Sequence, residues 1–588
     1  MRLSPSVFVL LIAGFSLVTF ACDDSGAPVE VRTDFSASTV IVDHGETREL
    51  AVPDRDALLV ILDGILTPQG AKRVEIDRVI DAEIYAGPSD PIGDPHWITR
   101  ARVLNQQGHT LWTQRVNSLF QMLEFLNPVL EEFSPVEISL SQLYQVTRQF
   151  YPELIQFAVK VPHRIDGAHL YILEVSDGEG NWERIAAFPI EELVEQAEPP
   201  QVDFEVEPLL ETGPPRDRIN VAIVGDGYTE FHRGAFEAHS EAVAERLMET
   251  SPFREHRDLF NISRVWTPSN EIGASFDCNH PEAASACEQD FRDTYFQTTF
   301  VIPALESEFG EVFGFDLEGV SDRVALPIRL ARVFEAASLA HYDEIIFISN
   351  SRKRSGFAGA YVAVVTAFDP AEMDHFPDVA VHEVGHTLGL LGDEYNISGD
   401  ACYYNEPDIP LPVNIDRVED GELPRWSEWI AEDTPVPTPV SEDYANTVGA
   451  FEGAYNCDFL VRPVDRCMMR TSGHDFCPVC AEQMVRRFYS FVDPAPIETG
   501  PVVSVDRHQG VTIDLPIRDA DDRYEVMWIV DDDVFATDQH SVEITPDQGL
   551  SSDGWLSVTA LVRNQSDFLQ TSDEATTSSL NFRLRLAD

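Results

Sequence analysis

The sequence predicts a multidomain chain in which an α/β domain lies between two β-rich domains, and three observations carry that expectation. Short alternating runs broken by Gly and Asp fill residues 35–195 and return over 501–588. Between them, buried-type strands such as INVAIVGD alternate with helical stretches such as EFHRGAFEAHSEAVAERLMET, the pattern of an α/β layer. The 588 residues, 44% hydrophobic and 10% aromatic, suffice for several packed cores.

Taken in order, residues 1–21 read as a signal peptide. Arg2 precedes an apolar run from Val7 to Ala21 that is short for a membrane span and suits a secretory leader. Cys22 follows Ala21 directly and is the expected lipidation site of an exported bacterial lipoprotein; the chain is otherwise secreted after ordinary cleavage. Residues 22–34 form the tether. Runs such as LLVILDG, IQFAVKVPH and the hairpin AHLYILEVSDGEGNWERIAAF make 35–195 an N-terminal β-sandwich, with a helical insertion near 117–133. Paired prolines and acids without a period mark 196–215 as a linker. The α/β domain spans 216–492, with strands at INVAIVGD, NISRVW, EIIFISN and AYVAVVTAF and a helical block around 288–313. A second linker, 493–500, leads to a small sandwich over 501–588, immunoglobulin-like by its spacing of short strands.

Charge narrows the partners. Lys+Arg is 41 against 101 Asp+Glu, a net charge of −60, which repels phosphate backbones and anionic lipid headgroups. Nucleic acid is therefore excluded as a partner, and a membrane enters only through the lipid anchor. No other stretch has the length of a span, and the chain is expected to be a monomer. With Cys22 set aside, seven cysteines in an exported protein point to disulfides, with one left free or paired elsewhere; Cys477-Pro-Val-Cys480 has the spacing of a redox or zinc motif, but with no second CxxC a structural disulfide is the expected role.

The chemistry is carried by residues 381–395, VHEVGHTLGLLGDEY. His382 and His386 are four apart and share one helix face, close enough to hold one metal ion. Zn2+ suits imidazole ligands and lowers the pKa of bound water, and Glu383 stands one step round to take that water's proton. Gly389 and Gly392 allow the chain to turn back, bringing either Asp393 or Glu394 round as third ligand.

These residues, with VAIVGDGYTEFH (221–232), PFREHRDLFNISRVW (252–266), FISNSRKRSGFAGAYVAV (347–364) and RPVDRCMMR (462–470), resemble the metzincin zinc endopeptidases. More narrowly they resemble the IgA-peptidase family. The resemblance implies a metzincin-like α/β domain, His382, His386 and Asp393 as metal ligands, and Glu383 as general base. It also implies Met469 as the Met-turn residue beneath the metal. Ordinary metzincins carry a third histidine where this chain has Gly392, so the carboxylate ligand stands one place later.

The expected function is hydrolysis of peptide bonds in extracellular proteins by a zinc-bound water that Glu383 activates. The phenols of Tyr395 or Tyr361 are candidate aids to the oxyanion. The strand at 360–368 is the expected edge that pairs with substrate backbone. A second reading is a surface-anchored binding or adhesion lipoprotein whose peptidase-like domain is a non-catalytic scaffold. The protein substrate, IgA or another, is not specified by these residues.

Overall fold

The computed structural model describes residues 21–22, 28–29, 56–66, 72–86, 99–116, 156–176, 181–276, 291–300, 324–359, 362–368, 376–396, 411–418, 422–492, 502–506, 511–515, 523–530, 533–544, 555–570 and 576–587. Its centre is a six-stranded sheet whose inner four strands are buried on both faces. In chain order the strands are β1 (Glu205–Leu210), β2 (Ile219–Asp226), β3 (Phe260–Trp266), β4 (Glu344–Ser349), β5 (Gly356–Gly359) and β6 (Val362–Thr366). Their spatial order is β1-β3-β2-β4-β6-β5. The inner four are parallel, and both edges are antiparallel.

Period two divides the inner strands between two cores. Val221, Ile223, Ile346, Ile348 and Val365 face helices α1 (Arg233–Glu249) and α3 (Phe376–Thr387). Ala222, Val224, Ile345, Phe347 and Val364 face helix α2 (Leu330–Ser338). Both faces are thus covered, as a parallel sheet requires.

The N-terminal unit consists of two antiparallel sheets. One has the order Lys72–Tyr85, Asp56–Leu66, Gln156–Pro162, and the other Thr110–Arg115, Thr99–Leu104, Leu170–Ser176, Trp182–Pro189. Its core is continuous with α2 and that face of the central sheet. The C-terminal unit has a five-stranded sheet, ordered Val502–Asp506, Thr577–Ala587, Trp555–Asn564, Tyr524–Val530, Asp533–Thr537, and a paired Val511–Asp514 and Ser541–Ile544. Trp528, Val558 and Val562 fill its interior, which continues into the core under α3 and helix α4 (Pro478–Tyr489). The chain is therefore a mixed α/β assembly with many β-sheets.

Three local expectations are corrected. The segment 196–215 is not wholly linker: β1 pairs with β3 from Glu205 to Leu210, using backbone hydrogen bonds that need no apolar period. Within the expected helical block at 288–313, the described residues 291–300 are loop and a strand, Thr298–Phe300, paired with Ala325–Pro327. The buried carboxylate of Asp226 fixes them, accepting from the backbone N–H groups of Phe296 and Thr298 and the hydroxyls of Thr294 and Ser269. Finally, the sheet edge is not at 360–368. β6 is paired on both sides, and β5 is the edge. The helical insertion near 117–133, the 493–500 linker and nearly all of 1–34 lie outside the described residues. No described helix is long and apolar enough to cross a membrane.

Candidate metal centre

Helix α3 delivers two imidazoles to one spot because four residues make just over one turn. His382 Nδ1 donates to Met468 O at 3.0 Å, and His386 Nδ1 donates to Leu391 O at 2.7 Å. Those bonds consume both Nδ1 protons and leave the two Nε2 atoms facing one another, 3.1 Å apart. Asp393 Oδ1 completes a triangle, 3.1 Å from His382 Nε2 and 3.2 Å from His386 Nε2.

Two facing imidazole lone pairs and a carboxylate oxygen repel unless a cation or protons lie between them. Burial lowers the basicity of His386, yet Asp393 and Glu383 raise its pKa to about 9. His382 is raised in the same way, burial being outweighed by its hydrogen bond to Asp393. Burial pushes Asp393 up, but the two imidazoles hold it well below its ordinary value. The triangle attracts positive charge. Its sides are close to the edge, about 3.3 Å, of a tetrahedron with 2.0–2.1 Å zinc–ligand bonds, so the donor set fits a zinc ion with one position left open.

The turn after α3 follows a different device from the one its glycines suggest. Leu390, not a glycine, takes the left-handed conformation, with φ 57°. Gly389 is small because α4 crosses there: a Cβ would lie 2.2 Å from Met484 Sδ. Asn414 then fixes the returning chain, accepting from Gly392 N and donating to Gly392 O.

Glu394, the alternative third ligand, points away from the histidines. Its backbone N–H donates to Met469 O at 2.9 Å, and its side chain is fully buried elsewhere. Met469 lies beneath α3, with Sδ so close to Gly385 that a Cβ there would meet it at 2.5 Å. Glu383 is 7% exposed, and its Oε1 lies against β5, 2.4 Å from where a Cβ on Gly356 would be. Burial raises its pKa, against the opposing pull of His382 and His386. The Tyr395 ring is 6.0 Å from that of His382; Tyr361 lies outside the described residues.

Cysteine usage differs from expectation. Cys457 is disulfide-bonded, whereas Cys467, Cys477 and Cys480 are free and buried, so Cys477 and Cys480 do not form the expected disulfide. These three thiols gather with one another and with Glu394, a grouping of which only the Cys477-Pro-Val-Cys480 pair is visible as a spacing in the sequence.

Residues 207–446 match the family model described as IgA Peptidase M64, a span that contains α3 and Asp393 and ends before Met469. No curated protein matches the chain.

Proposed function

Residues 207–446 belong to that IgA-peptidase family of metallopeptidases, and from this premise we propose that the protein is a zinc-dependent endopeptidase acting on proteins outside the cytoplasm. The observation that carries the reading is the triangle of His382 Nε2, His386 Nε2 and Asp393 Oδ1, with Glu383 beside it. In this reading those three residues are the metal ligands, Glu383 is the general base and Met469 is the Met-turn residue.

A zinc ion held there supplies Lewis acidity toward a peptide carbonyl and lowers the pKa of water. Glu383 takes a proton from the attacking water and returns it to the leaving amine nitrogen, a task suited to a carboxylate whose basicity burial has raised. The backbone bonds from both Nδ1 atoms orient the rings so that neither rotates during turnover. β5, the edge among the described strands and in contact with Glu383, offers its backbone to an extended peptide.

The finer architecture follows the same reading. The central layer is a metzincin-like domain and the C-terminal unit an immunoglobulin-like sandwich. Export by the 1–21 leader, lipidation at Cys22 and a monomeric state belong to the proposal as well. The non-catalytic scaffold is not favoured, since His382, Glu383 and His386 are all present.

Metal analysis and cleavage of a fluorogenic casein test the proposal on the full chain. Glu383→Gln is expected to keep its metal and lose at least about 10²-fold in kcat. Asp393→Ala is expected to lose one equivalent of metal. Wild-type cleavage by Glu383→Gln would overturn the assignment.

A further inference from the structure

Asp393 and Glu394 are neighbours whose side chains part company. While Asp393 turns to the histidines, Glu394 enters a closed chamber with Cys467, Cys477 and Cys480. One ligand atom from each of these four lies within 4.8 Å of all the others, and all four residues are buried. Cys467 Sγ and Cys480 Sγ are 3.7 Å apart, and Cys480 Sγ is 3.1 Å from Glu394 Oε1. Cys477 caps the N-terminus of α4, Cys480 sits in its first turn, and Cys477 N donates to Cys467 Sγ at 3.4 Å. Asn414 Nδ2 holds Glu394 Oε1 at 2.9 Å, but Glu394 Oε2 is buried with no hydrogen-bond partner.

We propose that Glu394, Cys467, Cys477 and Cys480 bind a second zinc ion in a closed, four-ligand structural site back to back with the histidine centre. Three arguments support it. A tetrahedral zinc thiolate with 2.3 Å bonds has a sulfur–sulfur edge of about 3.8 Å, matching the 3.7 Å between Cys467 and Cys480. The donor set, three soft thiolates with one carboxylate, is one that zinc accepts. Disulfide chemistry cannot satisfy the chamber: pairing any two of three cysteines leaves a buried thiol and a buried carboxylate with an orphaned oxygen. Thiolate and carboxylate charge is offset further by Arg462, buried at 3% exposure and electrostatically coupled to Glu394.

Such a site has a structural consequence. Cys467 immediately precedes Met468, whose carbonyl orients His382, and Met469, whose carbonyl holds Glu394 N. Glu394 immediately follows Asp393. A metal in the thiolate chamber therefore ties the Met turn, the third-ligand loop and the start of α4 together behind the histidine centre.

The test uses the full chain in wild-type and His386→Ala forms, the second disabling the histidine centre alone. About two zinc ions per chain are expected in the wild type and one in His386→Ala. Cobalt(II) in place of zinc in His386→Ala is expected to give intense near-ultraviolet thiolate-to-cobalt absorption, lost in His386→Ala/Cys480→Ser while near-ultraviolet circular dichroism confirms folding. A non-reducing peptide map is the second measurement, and it needs no variant. Cys467, Cys477 and Cys480 all recovered as reduced thiols, alkylated only after chelation, supports the site. A disulfide among them, or folded His386→Ala with no thiolate absorption, overturns it. A chain that holds the thiolate-bound metal yet cleaves no protein supports this site and overturns the peptidase reading, so the two failures are distinct.

Discussion

Glu383 owes its position to a neighbour without a side chain. A Cβ at Gly356 would lie 2.4 Å from Glu383 Oε1 and 2.6 Å from Val379 Cγ1, so a side chain there would force the carboxylate to shift. Gly356→Ala is expected to lower kcat by about 10- to 100-fold through misplacement of the proposed base, with metal content unchanged. Steady-state kinetics beside metal analysis check this, and an unaltered kcat would refute the contact's importance. The sequence made His382, Glu383 and His386 legible because helical spacing alone sets which side chains share a face. It left Asp393 and Glu394 undecided because they are adjacent in a turn, where direction is set by remote partners. Those partners are Met469 O for the Glu394 backbone and Asn414 for its carboxylate, 75 and 20 residues away. The thiol chamber was only half legible for the same reason: the Cys477 and Cys480 pair shows in the sequence, but Glu394 joins it from 86 residues before Cys480.

Helices α1 and α3 meet through His239, whose ring stands edge-on to Phe376, the first residue of α3. Its Nδ1 is 2.8 Å from the Tyr228 hydroxyl. Burial lowers the His239 pKa from 6.5 to about 4. The folded protein then binds fewer protons than the unfolded chain between those values. The stability tied to this neutral ring is complete above about pH 6.5 and is lost as pH falls toward 4, by up to about 3 kcal/mol. Urea midpoints at pH 7 and pH 4.5 are expected to differ less in His239→Gln than in the wild type. Equal differences would show that the helix contact does not depend on a neutral ring. Strands were legible where burial is two-sided, as in INVAIVGD, and obscure where it is not. β1 exposes much of its length, and β5, reading GFAG, has glycines at both ends; each is held as an edge by pairing with a stronger neighbour. No local pattern encodes an edge.

Across the whole molecule, the six-stranded sheet is a wall shared by two interiors. On one side the N-terminal sheets dock through α2, where Arg78 pairs with the buried Glu335 at 2.9 Å and Lys160 with Asp343 at 2.8 Å. On the other side the C-terminal unit docks through Tyr489 and Tyr524, whose hydroxyls are 2.9 Å apart, and through Arg523 with Asp258 at 2.6 Å. The sequence divided the chain into successive segments because composition changes along it. It gave no sign of these contacts, which join residues more than 180 positions apart on the N-terminal side. A wall common to two cores also makes ligand binding audible at a distance. By mass action, a ligand that binds only the folded state stabilises whatever unfolds cooperatively with its site, by about 2.7 kcal/mol at a hundredfold excess over Kd. Zinc titrated into metal-free protein is therefore expected to raise the thermal midpoint reported near Trp112, in the N-terminal unit, by the same amount as that near Trp528, in the C-terminal one. Single-tryptophan fluorescence reads each end separately, and midpoints that move apart would mean that the wall does not couple its two sides. With coupling, a chain without its metal opens at both ends at once, so loss of the metal at one spot would offer every part of the molecule to whatever proteases surround it.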